Sequence, residues 1–258
     1  MNYVFGPVPS RRLGMSLGIN NIPFKFCSYS CIYCQAGRTT NQIITRRKFY
    51  EPREIVRNLI DYLDKLDSKP DVITFVPNGE PTLDINLGKE VEMIKENFSI
   101  PVAILSNSSL LFDETVRNDL KLFDVVSLKI DTVLESLWRQ INRPHNMLDL
   151  TAILDGIRVF SKDYRGRLIL ETMLVKGVND TSIGTRKLAE FLRELKFDKI
   201  YLSLPLRPPC EKWVKPPDEQ GIVRVYSIMT QEISQDKIEV LAEYEKPRFK
   251  IVDKDTQN

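Results

Sequence analysis

The chain has 258 residues, 42% of them hydrophobic and 28% charged, which describes a soluble globular protein with enough apolar material for one sizeable core. A formal net charge of +2 makes no case for nucleic acid by itself, although a local basic patch stays open. Four cysteines, three of them between positions 27 and 34, argue against a disulfide framework and for a reducing compartment, so the expected location is cytoplasmic.

Met1–Pro7 lacks a basic patch ahead of an apolar run, and no stretch reaches the length of a membrane span, so neither a signal peptide nor a membrane partner is expected. Residues 1–15 are rich in turn formers, carry Arg11 and Arg12, and read as an extended lead-in. Ser16 to Asn20 alternates polar and apolar residues and predicts a short strand that ends ahead of the cysteines. Glu51 to Leu66 then places Ile55, Val56, Leu59, Ile60, Leu63 and Leu66 at helical spacing, with Pro52 suited to the first turn.

The same unit recurs. Strands are predicted at Asp71–Val76, Val102–Leu105, Val125–Ile130, Leu168–Val175 and Lys199–Leu204. Helices are predicted at Ile85–Phe98, Glu114–Leu122, Leu134–Ile141, Leu148–Phe160, Ser182–Leu195 and Asp218–Ile233. Strands alternating with helices imply parallel pairing through right-handed crossovers.

Two strands argue for a barrel over an open sheet. Ser127, Lys129 and Asp131 share one face, opposite Val126, Leu128 and Ile130; likewise Tyr201, Ser203 and Arg207 oppose Ile200, Leu202 and Leu204. A parallel strand covered by helices on both sides is apolar throughout, whereas one polar face borders a hydrated lumen. The expected fold is α/β, a partial (βα)6 parallel barrel. It forms one domain over residues 1–258, with a core at about 16–233. The extension 234–258 is expected to add an edge strand near Ile238 and Val240, continue through Phe249 and Ile251, and then fray.

The chemistry concentrates in Phe26-Cys27-Ser28-Tyr29-Ser30-Cys31-Ile32-Tyr33-Cys34, a C-x3-C-x2-C spacing. Thiolates are the ligands of choice for iron–sulfur clusters. Three of them leave one iron of a four-iron core open, as in a reactive site rather than a structural one. Zinc would need a fourth ligand from Cys210, the lone His145 or a carboxylate, and three buried thiols without metal are the remaining alternative.

The motif, with Tyr33 just before the last cysteine, resembles the signature of the radical S-adenosylmethionine superfamily. The resemblance implies a [4Fe-4S] cluster on Cys27, Cys31 and Cys34, with S-adenosylmethionine on the open iron. It also implies reductive cleavage to a 5′-deoxyadenosyl radical that abstracts hydrogen, and an external ferredoxin- or flavodoxin-like one-electron donor. The family's common fold is likewise a six-unit partial barrel. Pro77-Asn78-Gly79-Glu80 resembles the family's Gly-Gly-Glu motif, so Gly79 and Glu80 are candidates for the ammonium group of the cofactor, with Asn78 a departure from the pattern.

Other candidates follow from position, because active sites of parallel barrels lie at the carboxyl ends of the strands. Ser106 and Asn107 offer bonds to the cofactor carboxylate or ribose, or form an ordinary loop start. Lys129 and Asp131 form an internal ion pair or contact a ligand. Glu171, a carboxylate inside an apolar strand, needs a partner: Lys129, Arg207 or substrate. Asn179 reads as a turn residue or a ribose contact. Cys210 is a hydrogen-atom donor or a plain free thiol, and His145 a loop acid/base or a polar loop residue.

Phe5 to Gly14 followed by the cysteine loop is similar to compact proteins grouped near tRNA wyosine synthases, although the additional cysteines of a second cluster are missing here. Arg11, Arg12, Arg38, Arg46, Arg47 and Lys48 form a phosphate-binding rim or a solvated basic loop. The expected substrate is RNA or a small molecule, with no DNA partner. The alternatives are an activase that abstracts hydrogen from a partner protein and a non-catalytic metal-binding interaction module.

Overall fold

The computed structural model describes residues 3–242. It opens with an antiparallel pair, β1 (Val4–Ser10) and β2 (Gly14–Ile19), so the lead-in is a strand rather than a loose approach. Pro7 and Pro9 hide it in the sequence, yet proline is admissible on an edge strand, where one row of N–H groups has no partner. A register shift between Phe5 and Val8 bends the strand. The bare face of Gly18 accepts the Phe5 ring, since a Cβ there would lie 2.2 Å from Phe5 Cζ.

The cysteine segment follows as a loop with two short strands, β3 (Phe26–Cys27) and β4 (Asn41–Gln42), paired in parallel. The chain then alternates α1 (Pro52–Leu63), β5 (Val72–Phe75), α2 (Leu87–Asn97), β6 (Val102–Ser106), α3 (Glu114–Leu120) and β7 (Val125–Lys129). Next come α4 (Glu135–Ile141), α5 (Leu150–Asp163), β8 (Arg167–Met173), α6 (Ser182–Arg193), β9 (Lys199–Ser203), α7 (Glu219–Met229) and β10 (Ile238–Leu241). Capping side chains set several helix starts. Asp113, Asp149, Thr181 and Asp218 each accept an N–H of the first turn.

Among the described residues, an eight-stranded sheet runs β1-β2-β5-β6-β7-β8-β9-β10, parallel from β2 onward, and its two ends do not pair. This is an α/β partial barrel with the six predicted strand–helix units. The anticipated edge strand exists as β10; Phe249, Ile251 and the predicted fraying lie outside the described residues.

The outer face of the sheet, including Val126, Leu128, Leu168, Leu170, Ile200 and Leu202, packs into the main core with the helices. Inside, the register sets Lys129 beside Glu171 and Glu171 beside Tyr201, with Met173 beside Ser203. Ile169, Tyr201 and Leu241 make a small apolar cluster, against which Leu13 of the β1–β2 turn is packed. The chain leaves the sheet after Ser203, so Arg207 belongs to the following loop, where it donates to Gln35 Oε1 at 2.9 Å. Among the described residues, no helix is long and apolar enough to cross a membrane.

Candidate functional site: a three-cysteine loop over the strand ends

The loop is stitched to the ends of two units. On one side Lys25 N donates to Asn78 O at 2.9 Å and Glu80 N to Phe26 O at 3.0 Å. The backbones lie so close that a Cβ on Gly79 would sit 2.0 Å from Phe26 O. Glycine is required there by contact, and its function is to let this segment run against the residue preceding Cys27. On the other side Ser30 N donates to Asn142 O and Ile32 N to Ile141 O, each at 2.9 Å. Ile32 is buried with Ile141, Met173, Val175, Val178 and Val214.

Each of the three sulfurs in the loop faces a side-chain nitrogen donor. Asn107 Nδ2 lies 3.5 Å from Cys27 Sγ, Asn142 Nδ2 3.5 Å from Cys31 Sγ, and Lys25 Nζ 3.7 Å from Cys34 Sγ. All three cysteines are free and half-buried. Burial, with Asp131 nearby, pushes the Cys31 thiol up to about 12; burial and Glu80 push Cys27 up as well. Cys27 and Cys31 therefore stay protonated at neutral pH, and a metal that takes them as thiolates must displace their protons.

This donor set fits an iron–sulfur cluster, whose potential is tuned by hydrogen bonds to its sulfurs. Among the described residues, no three His, Cys, Asp or Glu side chains form a group that could hold a single metal ion. The loop supplies no fourth thiolate. Cys210 lies in the segment after β9, where Glu211 N donates to Ile32 O at 3.0 Å and the Glu211 carboxylate pairs with Arg38 and Arg143.

The remaining candidates divide into groups that brace the site and groups that line it. Glu80 is fully buried, and its carboxylate accepts from Thr82 N (3.2 Å), Thr82 Oγ1 (2.6 Å), Ser106 Oγ (2.8 Å) and Asn107 N (2.7 Å). Burial still raises its pKa against those donors. Its geometry ties the end of β5 to the end of β6, so the carboxylate is already committed within the chain. Asn107, held by that tie, spends its amide on Ser28 Oγ at 2.9 Å and on the Cys27 sulfur, which places it at the cysteines.

Asp131 is equally committed. It accepts from Asn142 Nδ2 at 2.7 Å, Met173 N at 2.8 Å and the Tyr33 hydroxyl. Burial pushes its pKa up, against the pull of Lys129 and these donors. Its effect is to aim Asn142 at Cys31. Asn179 gives both amide hydrogens to backbone carbonyls, Asp131 O at 2.9 Å and Met173 O at 2.8 Å, and accepts from Val175 N at 2.8 Å.

Lys129 and Glu171 do line the lumen. Lys129 Nζ donates to Glu171 Oε1 at 3.0 Å and stands 5.0 Å from the centre of the Tyr33 ring, which joins the lumen to the cysteine loop. The second partner of Glu171 is Arg12, reaching in from the β1–β2 turn, 159 positions away. Burial alone would raise the Glu171 pKa, but Arg12 and Lys129 outweigh it and hold the carboxyl well below the usual range. Burial likewise works to lower Lys129, and Glu171 and Asp131 outweigh it, so its pKa is raised.

The predicted basic rim is dispersed. Arg12 points to Glu171, Arg38 to Glu211, Arg46 to Asp119 and Lys48 to Glu51, while Arg47 lies over the Phe26 and Phe49 rings at 5.5 and 5.8 Å. His145 closes its own turn, with Nδ1 accepting from Met147 N at 3.3 Å, while its backbone N–H donates to Ser28 O at 2.9 Å.

A partial parallel barrel with a three-cysteine loop across the carboxyl ends of its strands defines an iron–sulfur barrel protein. The chain matches the model of the Radical SAM superfamily over residues 21–189 and belongs to that superfamily, whose members are generally enzymes that bind an iron–sulfur cluster and S-adenosylmethionine. It is 52% identical over 250 residues to a UPF0026 protein of Methanocaldococcus jannaschii, covering 96% of this chain and 78% of the relative. A dual-specificity RNA methyltransferase RlmN of Campylobacter jejuni is 23% identical over 212 residues, which cover 73% of this chain and 56% of that protein. Among solved structures, TYW1 with a lysine-pyruvate adduct bound shares the fold at a TM-score of 0.65 and 18% identity, covering 85% of this chain and 74% of that one.

Proposed function

We propose that this protein is a radical S-adenosylmethionine enzyme whose Cys27, Cys31 and Cys34 hold a [4Fe-4S] cluster. The observation that carries the reading is the loop itself, with three free cysteines over the strand ends and a side-chain nitrogen donor at each sulfur. When bound, the cluster and S-adenosylmethionine supply a one-electron cleavage that yields a 5′-deoxyadenosyl radical able to abstract hydrogen from a substrate.

The chain's own residues prepare that chemistry. Gly79 and Glu80 pin the loop at Phe26 and place Asn107 at Cys27; Asp131 places Asn142 at Cys31. Ordering of this kind matters because a small misplacement of reacting groups costs orders of magnitude in rate. The Gly79 carbonyl is the candidate for the cofactor's ammonium group, since the Glu80 carboxylate is engaged by four donors and the Asn78 and Glu80 carbonyls accept from Lys25 N and Leu83 N. Lys129, partly exposed in the lumen beneath Tyr33, is the group best placed to meet substrate. A small cavity beside it is lined by Tyr29, Ser108, Asp131, Thr132 and Asn142 as well.

The substrate is an RNA base or a small molecule admitted to the lumen, and the electron comes from an external ferredoxin- or flavodoxin-like donor. The similarity to an RNA methyltransferase supports the RNA branch, and the dispersal of the basic rim makes that branch depend on few phosphate contacts.

The test is anaerobic reconstitution of the full chain with iron and sulfide, followed by reduction with S-adenosylmethionine present. About four irons per chain and release of 5′-deoxyadenosine are expected. The Cys27→Ala/Cys31→Ala/Cys34→Ala variant should bind none of this iron. Unchanged metal content in that variant ends the proposal.

A further inference from the structure

Lys25 is an unusual residue to find two positions ahead of the first cysteine. Only 2% of it is exposed, and its φ of +62° lies in the left-handed region that non-glycine residues rarely adopt. Its backbone is pinned on both sides: its N–H donates to Asn78 O at 2.9 Å and its carbonyl accepts from Asn41 N at 3.1 Å. A strained backbone and a buried lysine together are costly, and such costs persist where the surroundings impose them.

A buried lysine requires an anion, yet among the described residues no carboxylate forms an ion pair with Lys25. Its Nζ has two partners, the carbonyl of Gly37 and, at 3.7 Å, the sulfur of Cys34. The other two sulfurs receive neutral amides, from Asn107 and Asn142. The arrangement is therefore asymmetric: one of three prospective ligands has a cationic donor, and that cation has no counter-charge among the protein's carboxylates.

We propose that Lys25 is a positioning residue for the cluster, paired electrostatically with the Cys34 thiolate, and that its charge raises the cluster's reduction potential. The inference rests on reading the cysteine loop as a cluster site. Reduction adds one electron to the cluster and hence one negative charge. A fixed cation at a ligand sulfur stabilises the reduced form more than the oxidised one, and burial limits the screening of that effect by water. Metal binding likewise supplies the anion that the buried lysine otherwise lacks, because the cysteines bind as thiolates.

The test compares the reconstituted full chain with its Lys25→Met and Lys25→Arg variants, without S-adenosylmethionine. Iron and sulfide contents are measured first, and midpoint potentials are then read by EPR-monitored redox titration. At the wild-type midpoint, Lys25→Met should show a ratio of reduced to oxidised cluster at least tenfold lower, about 59 mV for a one-electron couple. Lys25→Arg should recover at least half of that shift.

A Lys25→Met cluster with wild-type content and wild-type midpoint overturns the inference. So does equal loss of iron from Lys25→Met and Lys25→Arg, which would make Lys25 a packing residue. Loss of iron from Lys25→Met alone, with Lys25→Arg retaining it, supports the charge as the anchor of Cys34. A wild-type chain that takes up no iron refutes the cluster reading itself, and this inference with it, before any variant is compared.

Discussion

Gly79→Ala tests the central joint of the site. The new Cβ would lie 2.0 Å from Phe26 O, 2.8 Å from Ile22 Cδ1 and 3.1 Å from Phe26 C. The nearest obstacle is backbone, so it cannot swing aside as the tip of a long side chain would. The two backbones must separate, which breaks the Lys25–Asn78 and Glu80–Phe26 hydrogen bonds. Each is worth about 1 kcal/mol net, and overpacking adds about 1–3 kcal/mol, so a loss of about 3–5 kcal/mol is expected. Urea unfolding of the metal-free chain reads that loss. Iron content after anaerobic reconstitution reads the displacement of Cys27, and less than half of the wild-type iron is expected. A variant within 1 kcal/mol of wild type that binds full iron would refute the reasoning, because the segment would then have yielded without moving the cysteine loop.

Two further outcomes concern buried charge. Glu171→Gln removes the carboxylate that Arg12 and Lys129 share, and removing one partner of a buried ion pair costs about 3–5 kcal/mol. Because the folded pKa of Glu171 is depressed, its contribution is full above the unfolded carboxyl value and is lost as pH falls. Urea midpoints of wild type and Glu171→Gln should therefore converge below about pH 4; a gap that stays constant into acid would contradict the assignment. Glu90 has the opposite sign. Burial, chiefly, and the neighbouring Asp84 raise its pKa against the pull of Asn21, and among the described residues neither of its oxygens has a partner at full hydrogen-bond geometry. A raised carboxyl costs stability as pH climbs above the unfolded value near 4.5, by at most about 1.4 kcal/mol per pH unit. Glu90→Gln should accordingly match wild type at pH 4 and become the more stable of the two by pH 7. Equal stability at both pH values would count against the shift.

Residues that were legible in the sequence share one property: their signal lies within a few positions along the chain. The period-two alternation of Val126 to Asp131 assigned the lumen face correctly, since pleating alone sends successive side chains to opposite sides. The β1 strand escaped because prolines obscure the pattern that an edge strand tolerates. Arg207 was misplaced for a related reason: alternation was extended past Ser203, where the chain had already left the sheet. Gly79 was read as a candidate for the cofactor's ammonium group; its close contact with the Phe26 backbone is one that no local pattern identifies.

The sequence by itself determined the three cysteines, the six strand–helix units and the polar lumen, because ligand spacing and side-chain periodicity are local properties. Tertiary structure alone decided what each polar residue does. Asn107 and Cys27 are 80 positions apart, Asn142 and Cys31 111, and Arg12 and Glu171 159. Such pairings arise when the strand ends are brought together, and they give Glu80, Asp131 and Asn179 hydrogen-bond partners within the chain. The physical reason is burial. A carboxylate or amide enclosed at the top of the sheet must satisfy its hydrogen bonds within the fold, and only the assembled fold determines which neighbours satisfy them.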